Sequence, residues 1–396
     1  MSVTSFTAKE LFDKILNKED VFILDVRNAD EYKDWKIEGE TVASINVPYF
    51  EMLDGVGDVV DRLPRNQTIY VVCAQEGSSQ FIAEQLAEEG FTAAYMEGGM
   101  KSWSTYLYEN AFYEDEDIKV YQLVRVGKGC LSYMVLSGKE ALVVDPARFT
   151  DVYIDLAERE GVQITHIVDS HLHADHITGG PELAKRTGAT YYLMKSEGAI
   201  YDFEPLENHE RIQFEKVDVR VLAVKTPGHT PGSVSFFVND KLLFSGDTIF
   251  VSGLGRPDLG EKVEEWAEDL YHTISEKIKA FADDVLVLPA HYADLETEMN
   301  EDGLIGEYLG KIRENNSIMQ NIQKEAFIAH VSQSASSVKP PNFEEIIEVN
   351  RGHLQRTDEE MTELEIGPNR CAVHHTNAYI RFIFQRGPCI LRLGFV

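Results

Sequence analysis

The sequence predicts two α/β domains in tandem, the first built on a small parallel sheet and the second on strands that end at metal-ligand residues. Three observations carry this expectation. At 396 residues the chain exceeds what one hydrophobic core usually serves. Over residues 1–112, continuously apolar runs of strand length alternate with helical patterns, which is how a sheet buried on both faces is written. Further on, histidines and aspartates recur just after strand-like runs, where a loop can aim several side chains at one point.

The bulk composition narrows the function classes. An apolar fraction of 43% is ample for both domains. The net charge of −30, from 37 basic against 67 acidic residues, argues against nucleic acid or an anionic membrane as partner. Met1 to Phe6 lacks a basic region followed by an apolar stretch, and no apolar run reaches spanning length, so neither a signal peptide nor an anchor is expected. Cys73, Cys130, Cys371 and Cys389 show no C-x-x-C spacing and do not make a disulfide scaffold. A reducing, cytoplasmic setting fits that usage.

Taken in order, Thr7 is placed to cap a helix whose Leu11, Phe12, Ile15 and Leu16 share one face. Strands are expected at Val21 to Val26, Thr68 to Val72 and Ala93 to Met96, with a helix over Phe81 to Ala87. Cys73 to Ser79 lies between the strand ending at Val72 and a helix expected from near Gln80. Backbone N–H groups and the helix dipole there favour an anion, including a thiolate or a cysteine persulfide. Asp25-Val26-Arg27 with Glu31-Tyr32, the Cys73 loop, and Glu97 to Trp103 together resemble a single rhodanese domain. The resemblance implies sulfane-sulfur transfer through a persulfide on Cys73. It departs from the family at Ser78, where arginine is common, and Glu76 adds negative charge beside it.

The acidic run Glu114 to Asp117 reads as a solvated connection, giving a first domain over 1–112, a linker over 113–118 and a second domain over 119–373. Strands are expected at Val120 to Val124, Ser132 to Leu136 and Ala141 to Val144, a helix around Tyr153 to Glu160, and a strand over Ile164 to Asp169. Next comes Ser170-His171-Leu172-His173-Ala174-Asp175-His176, three imidazoles and a carboxylate within six residues, followed by Gly179-Gly180-Pro181 opening a helix. Zinc and iron favour such nitrogen and oxygen donors. His229 follows Val219 to Val224, Asp247 follows Lys241 to Gly246, and His291 follows Val285 to Ala290. Asn315 onward reads as an accessory region with a short helix over Phe343 to Val349. His374 to Val396 carries Arg381, Arg386 and Arg392 with no acidic residue, and forms a tail of unassigned role.

The ordered set His171, His173, Asp175, His176, His229, Asp247 and His291 resembles the metallo-β-lactamase superfamily, which implies an αββα sandwich with a metal site at one edge of the paired sheets. Phe244 to Leu259, with Gly255-Arg256-Pro257-Asp258, is similar to the persulfide dioxygenases of that superfamily, and Leu364 to Val373 resembles the end of their rhodanese-linked members. The resemblance implies one Fe(II) per chain held by His171, His229 and Asp247, a thiol persulfide and dioxygen as substrates, and sulfite as product. His173, Asp175, His176 and His291 then act around those ligands or hold a second metal, and Arg256 and Tyr292 are candidates for gripping the thiol carrier. Thiosulfate or sulfite would serve the first domain, and a homo-oligomer is expected. The rival expectation is a thioester hydrolase of the glyoxalase II kind, with two zinc ions bridged by Asp247 and a non-catalytic first domain.

Overall fold

The computed structural model describes residues 3–222, 232–255, 263–320, 323–334 and 341–369. His229, Arg256, Cys371, Cys389 and the tail over 374–396 lie outside the described residues.

The first domain forms because its short central strands, largely apolar and buried, must be covered on both faces. Its five described strands run in the order Thr4–Phe6, Ala93–Met96, Ile69–Val72, Val21–Asp25, Val42–Asn46, all parallel. One face packs Leu24, Val71, Ile82 and Leu86, the other Leu11, Phe12, Ile23 and Met96. Thr7 and Glu10 close a capping box on the helix Ala8–Leu16, as the spacing predicts. The helix after the cysteine loop spans Gly77–Glu88, so its first turn follows the loop more closely than expected. The helix Ala29–Asp34 buries no residue and Val42–Asn46 is a half-exposed edge, which explains why neither announces itself in the hydrophobic pattern.

Two sheets face each other in the second domain. One runs Glu204–Pro205, Thr190–Leu193, Gln163–Val168, Glu140–Val144, Cys130–Ser137, Lys119–Arg125, Leu107–Glu114; the other runs Arg211–Phe214, Val217–Leu222, Ser235–Val238, Leu242–Gly246, Leu286–Pro289, Glu307–Tyr308. Leu131, Tyr133, Val135 and Val144 of the first meet Val219, Phe236, Phe244 and Leu288 of the second in the central core. Burying each such side chain contributes roughly 1.5–3 kcal/mol relative to leaving it exposed. Helices cover the outer faces, Thr150–Glu160 and Gly180–Thr187 on one side and Val263–His272 and Lys324–Ser334 on the other. The order helix, sheet, sheet, helix is the αββα sandwich expected.

The acidic run is not a connection between domains. Leu107–Glu114 pairs antiparallel with Lys119–Arg125, so Asp115 to Ile118 is the turn of a hairpin in the second domain's own sheet. Asp115 supplies the turn, accepting from the backbone N–H of Asp117 and Ile118. The first domain's last helix, Gly99–Thr105, abuts this hairpin, and Arg125 Nε donates to the Ser104 carbonyl at 2.6 Å. Among the described residues no helix is long and apolar enough to cross a membrane.

Candidate metal centre

The ligand-type residues gather where strands of both sheets end. Gln163–Val168 delivers Asp169 to His176, and Leu242–Gly246 delivers Asp247. The two ends come close: a Cβ on Gly246, whose φ is +55°, would lie 2.8 Å from Ser170 Oγ, and Val234 N–H, just before the neighbouring strand Ser235–Val238, donates to the Ser170 carbonyl at 2.7 Å. Only glycine lets the strands approach so closely there. Leu286–Pro289 brings in His291 from the same sheet.

His171, His173, Asp175, His176, Asp247 and His291 are all buried, and they adjoin one another. His171 Nε2 lies 3.5 Å from Asp247 Oδ2, and His291 Nδ1 lies 2.6 Å from the other oxygen of Asp247. His291 Nε2 in turn lies 3.3 Å from Asp175 Oδ1. Among the described residues two donor groupings stand out: Cys130, Asp175, His176 and His291, and Asp145, Asp169 and His173, each with ligand atoms within 4.8 Å of one another. Cys130, Asp145 and Asp169 are additions that the motif did not single out. Asp145 takes Ser170 N–H at 2.6 Å and Ser170 Oγ at 2.9 Å, which fixes the start of the histidine loop.

The electrostatics follow from that geometry. Burial disfavours protonated His173, but the carboxylates of Asp145 and Asp169 outweigh it and raise its pKa to about 10. Burial likewise disfavours the Asp175 carboxylate, yet His291 and His176 beside it hold it well below the usual carboxylate range. Imidazole nitrogen, carboxylate oxygen and thiol sulfur converging in one buried pocket fit a borderline divalent cation such as zinc or iron.

The C-terminal helices hold this loop from outside. Asn350 Nδ2 donates to the carbonyls of His173 and His176 at 2.8 Å each, while its oxygen accepts from Thr178 N–H at 3.1 Å. Glu365, fully buried, accepts from Ile177 N–H at 3.0 Å and pairs with Arg125 at 3.1 Å and Arg148 at 2.6 Å. Asn369 Nδ2 bonds the carbonyls of Lys128 and Tyr292 at 3.0 and 2.9 Å. Tyr292 donates its hydroxyl proton to Val126 and lines a cavity of about 400 Å³ with Lys128, Trp103 and Trp35, between the two domains.

In the first domain, Cys73 sits at the end of Ile69–Val72 with its sulfur 3.2 Å from Ser79 Oγ. Main-chain bonds brace the loop: Met100 N–H to the Cys73 carbonyl at 2.8 Å and Lys101 N–H to Ala74 at 3.0 Å. The Glu76 carboxylate accepts from Gly98 N–H at 2.9 Å. Nothing in the bare sequence marked that anchor.

Residues 125–293 match the metallo-beta-lactamase superfamily, and residues 7–106 match a rhodanese-like domain. The chain is a rhodanese-like domain followed by a metallo-beta-lactamase domain. It is 35% identical over 171 residues to "Persulfide dioxygenase ETHE1, mitochondrial" of Bos taurus, covering 41% of this chain and 65% of that protein. It is 34% identical over 166 residues to a hydroxyacylglutathione hydrolase of Rhizobium meliloti strain 1021, covering 41% and 61%. The chain thus spans less than two thirds of the length of these curated relatives. The crystal structure of ETHE1 from Myxococcus xanthus superposes with a TM-score of 0.51 at 26% identity, over 59% of this chain and 97% of that one. Residues 125–293 therefore carry the metallo-beta-lactamase fold, with the buried donor cluster at its sheet edge.

Proposed function

We propose that the protein is a persulfide dioxygenase: the terminal sulfur of a low-molecular-weight thiol persulfide is oxidised to sulfite, and the rhodanese-like domain exchanges sulfane sulfur with thiosulfate or sulfite. One persulfide, one dioxygen and one water balance one thiol, one sulfite and its protons. The observation that carries this reading is the fusion itself. A donor cluster of this kind serves hydrolases and dioxygenases alike, whereas a rhodanese-like partner with Cys73 at a helix start favours a sulfur substrate.

His171 and Asp247, 3.5 Å apart, are the described members of the proposed ligand set, with His229 as the third. Held by these residues, ferrous iron would supply redox chemistry toward a persulfide and dioxygen. Around it, Asp145 fixes the loop through Ser170, and Ser170 Oγ hydrogen-bonds His171 Nδ1 at 2.9 Å, orienting the ring so that Nε2 faces Asp247. The interdomain cavity beside Tyr292 is the proposed seat of the thiol carrier, with Arg256 a further candidate contact. Free thiols at Cys73 and Cys130 support a reducing, cytoplasmic setting.

Anaerobically purified protein should contain about one iron per chain and consume oxygen when given glutathione persulfide. Asp247→Ala should strip the metal, while Asp175→Ala should weaken it by about 10- to 100-fold if Asp175 only supports the site. The second reading, a dizinc thioester hydrolase, is favoured by the convergence of Asp175, His176 and His291 and by the hydrolase relatives. Two zinc ions with thioester cleavage and no oxygen uptake would establish it instead.

A further inference from the structure

We propose that Cys130 is a metal ligand, its thiolate joining Asp175, His176 and His291 in a second cation site beside the His171–Asp247 pair. The inference rests on reading this cluster as a metal centre, and not on which reaction the centre performs. Four donor atoms lie within 4.8 Å of one another. Their closest separations are 3.3 Å from sulfur to His176 Nδ1, 3.5 Å from sulfur to Asp175 Oδ2, 2.9 Å from His176 to Asp175 and 3.3 Å from His291 Nε2 to Asp175. A tetrahedral ion with bonds of about 2.0–2.3 Å sets its donors roughly 3.3–3.8 Å apart, so small outward shifts convert this cluster into a coordination shell.

The backbone places the sulfur there independently of the side chains. Cys130 forms a β-bridge with His291, flanked by Leu131 N–H to the Ala290 carbonyl at 2.7 Å and Tyr292 N–H to Gly129 at 3.1 Å. Gly129 has φ +84°, and a Cβ on it would lie 2.3 Å from Asn369 Nδ2 and 3.0 Å from the Tyr292 carbonyl. The glycine is thus needed to bring the chain into the strand beside His291. Leu131, next in the strand, packs in the central core, while Cys130 belongs to none of the apolar clusters formed by the described residues. A buried cysteine serving as a small apolar residue would be packed among such residues.

The donor set selects by softness. Thiolate with two imidazoles and one carboxylate suits zinc or another late divalent metal, and disfavours magnesium and calcium, which take oxygen ligands. As the ion binds, the thiol proton leaves to solvent and a metal–sulfur bond forms, with no change of oxidation state.

Cobalt(II) titrated into the full chain after chelation provides the test. We expect a near-ultraviolet thiolate-to-cobalt charge-transfer band in the parent, its loss in Cys130→Ser, and a fall in cobalt affinity of at least about tenfold. Since Cys130→Ser could misfold, a chain with Cys73, Cys371 and Cys389 replaced by serine keeps the site intact and leaves Cys130 as the sole thiol; it should retain the band. A parent without the band, or a band that survives in Cys130→Ser, overturns the proposal. Oxygen uptake reports separately: band present without uptake sinks only the dioxygenase reading, and uptake without the band sinks only the ligand role of Cys130.

Discussion

Cys73 and Cys130 are both buried, each beside a region where a left-handed glycine brings backbones together, yet their surroundings differ in kind. The Cys73 loop is braced from within its own domain, by Met100 and Lys101 N–H to loop carbonyls and by Gly98 N–H to the Glu76 carboxylate. Cys130 lies among charges, and its cluster is held by Asn350 and Glu365, from helices remote in sequence, and by Asn369 beyond the last of them. Burial alone therefore says little about what a cysteine does; its neighbours decide. A brace made within the first domain should fail there, whereas the metal cluster should fail with the C-terminal segments that grip it.

The largest effect should come from Glu365→Ala. Arg125, 1% exposed, would lose its carboxylate partner, and breaking a buried pair from one side costs about 3–5 kcal/mol. Urea unfolding at neutral pH measures it, and a loss below about 1 kcal/mol would show that the charges relax to solvent. The pair also sets a pH dependence. Burial raises the Glu365 pKa, but Arg125 and Arg148 outweigh it and lower it to about 2. A depressed folded-state pKa gives stability that is present above the ordinary glutamate value of about 4.3 and is lost as pH falls toward 2. The parent should lose stability over that window and Glu365→Ala should lose less.

Asn350→Ala is the next step down. It leaves the His173 and His176 carbonyls and Thr178 N–H without their partner, worth about 1–3 kcal/mol for buried groups. Because those atoms belong to the ligand loop, metal affinity should fall by about 10- to 100-fold while the first domain's sulfur exchange is unchanged. Equal loss of both activities would mean that the two regions are not independently supported.

Gly99→Ala probes the other side. Gly99 has φ +56°, and a Cβ would lie 2.4 Å from the Cys73 carbonyl and 2.6 Å from that of Gln75. The left-handed backbone alone costs an alanine about 1–2 kcal/mol, and the clash must move the cysteine loop. Sulfur exchange should drop, with metal content untouched.

These supports differ in how far the sequence discloses them. The histidine loop, the strand ends before Asp247 and His291, and the Cys73 loop are short-range patterns, so they could be read directly. Cys130 opens a strand that is buried at every position, Cys130–Ser137, and in sequence it looks like one more core residue. Only the bridge to His291, 161 positions on, reveals its neighbours. Asn350 and Glu365 act across separations of 172 to 188 residues, for which no local periodicity exists. The acidic run at Glu114 to Asp117 misled for the same reason: composition describes solvation, and the pairing that makes it a hairpin turn is a property of two strands.

The smallest structural effect is expected from Cys73→Ser, which is also the sharpest separation of the two regions. Serine nearly preserves the volume, and its hydroxyl can keep the contact with Ser79 Oγ, 3.2 Å from the native sulfur, so stability should change by less than about 1 kcal/mol. The nucleophile is gone, however, and exchange of sulfane sulfur between thiosulfate and a thiol should disappear. Oxygen uptake on a ready-made persulfide should persist, because the donor cluster takes its residues from Cys130 onward. Exchange in the parent should itself be slow with thiosulfate, since Ser78 brings no cation to the anion. With Glu76 tied to Gly98 N–H, an added positive charge need not be neutralised by that carboxylate, and Ser78→Arg should speed exchange. Equal exchange by parent and Cys73→Ser would make Cys73 a structural residue and the first domain a docking module for the enzyme that follows it.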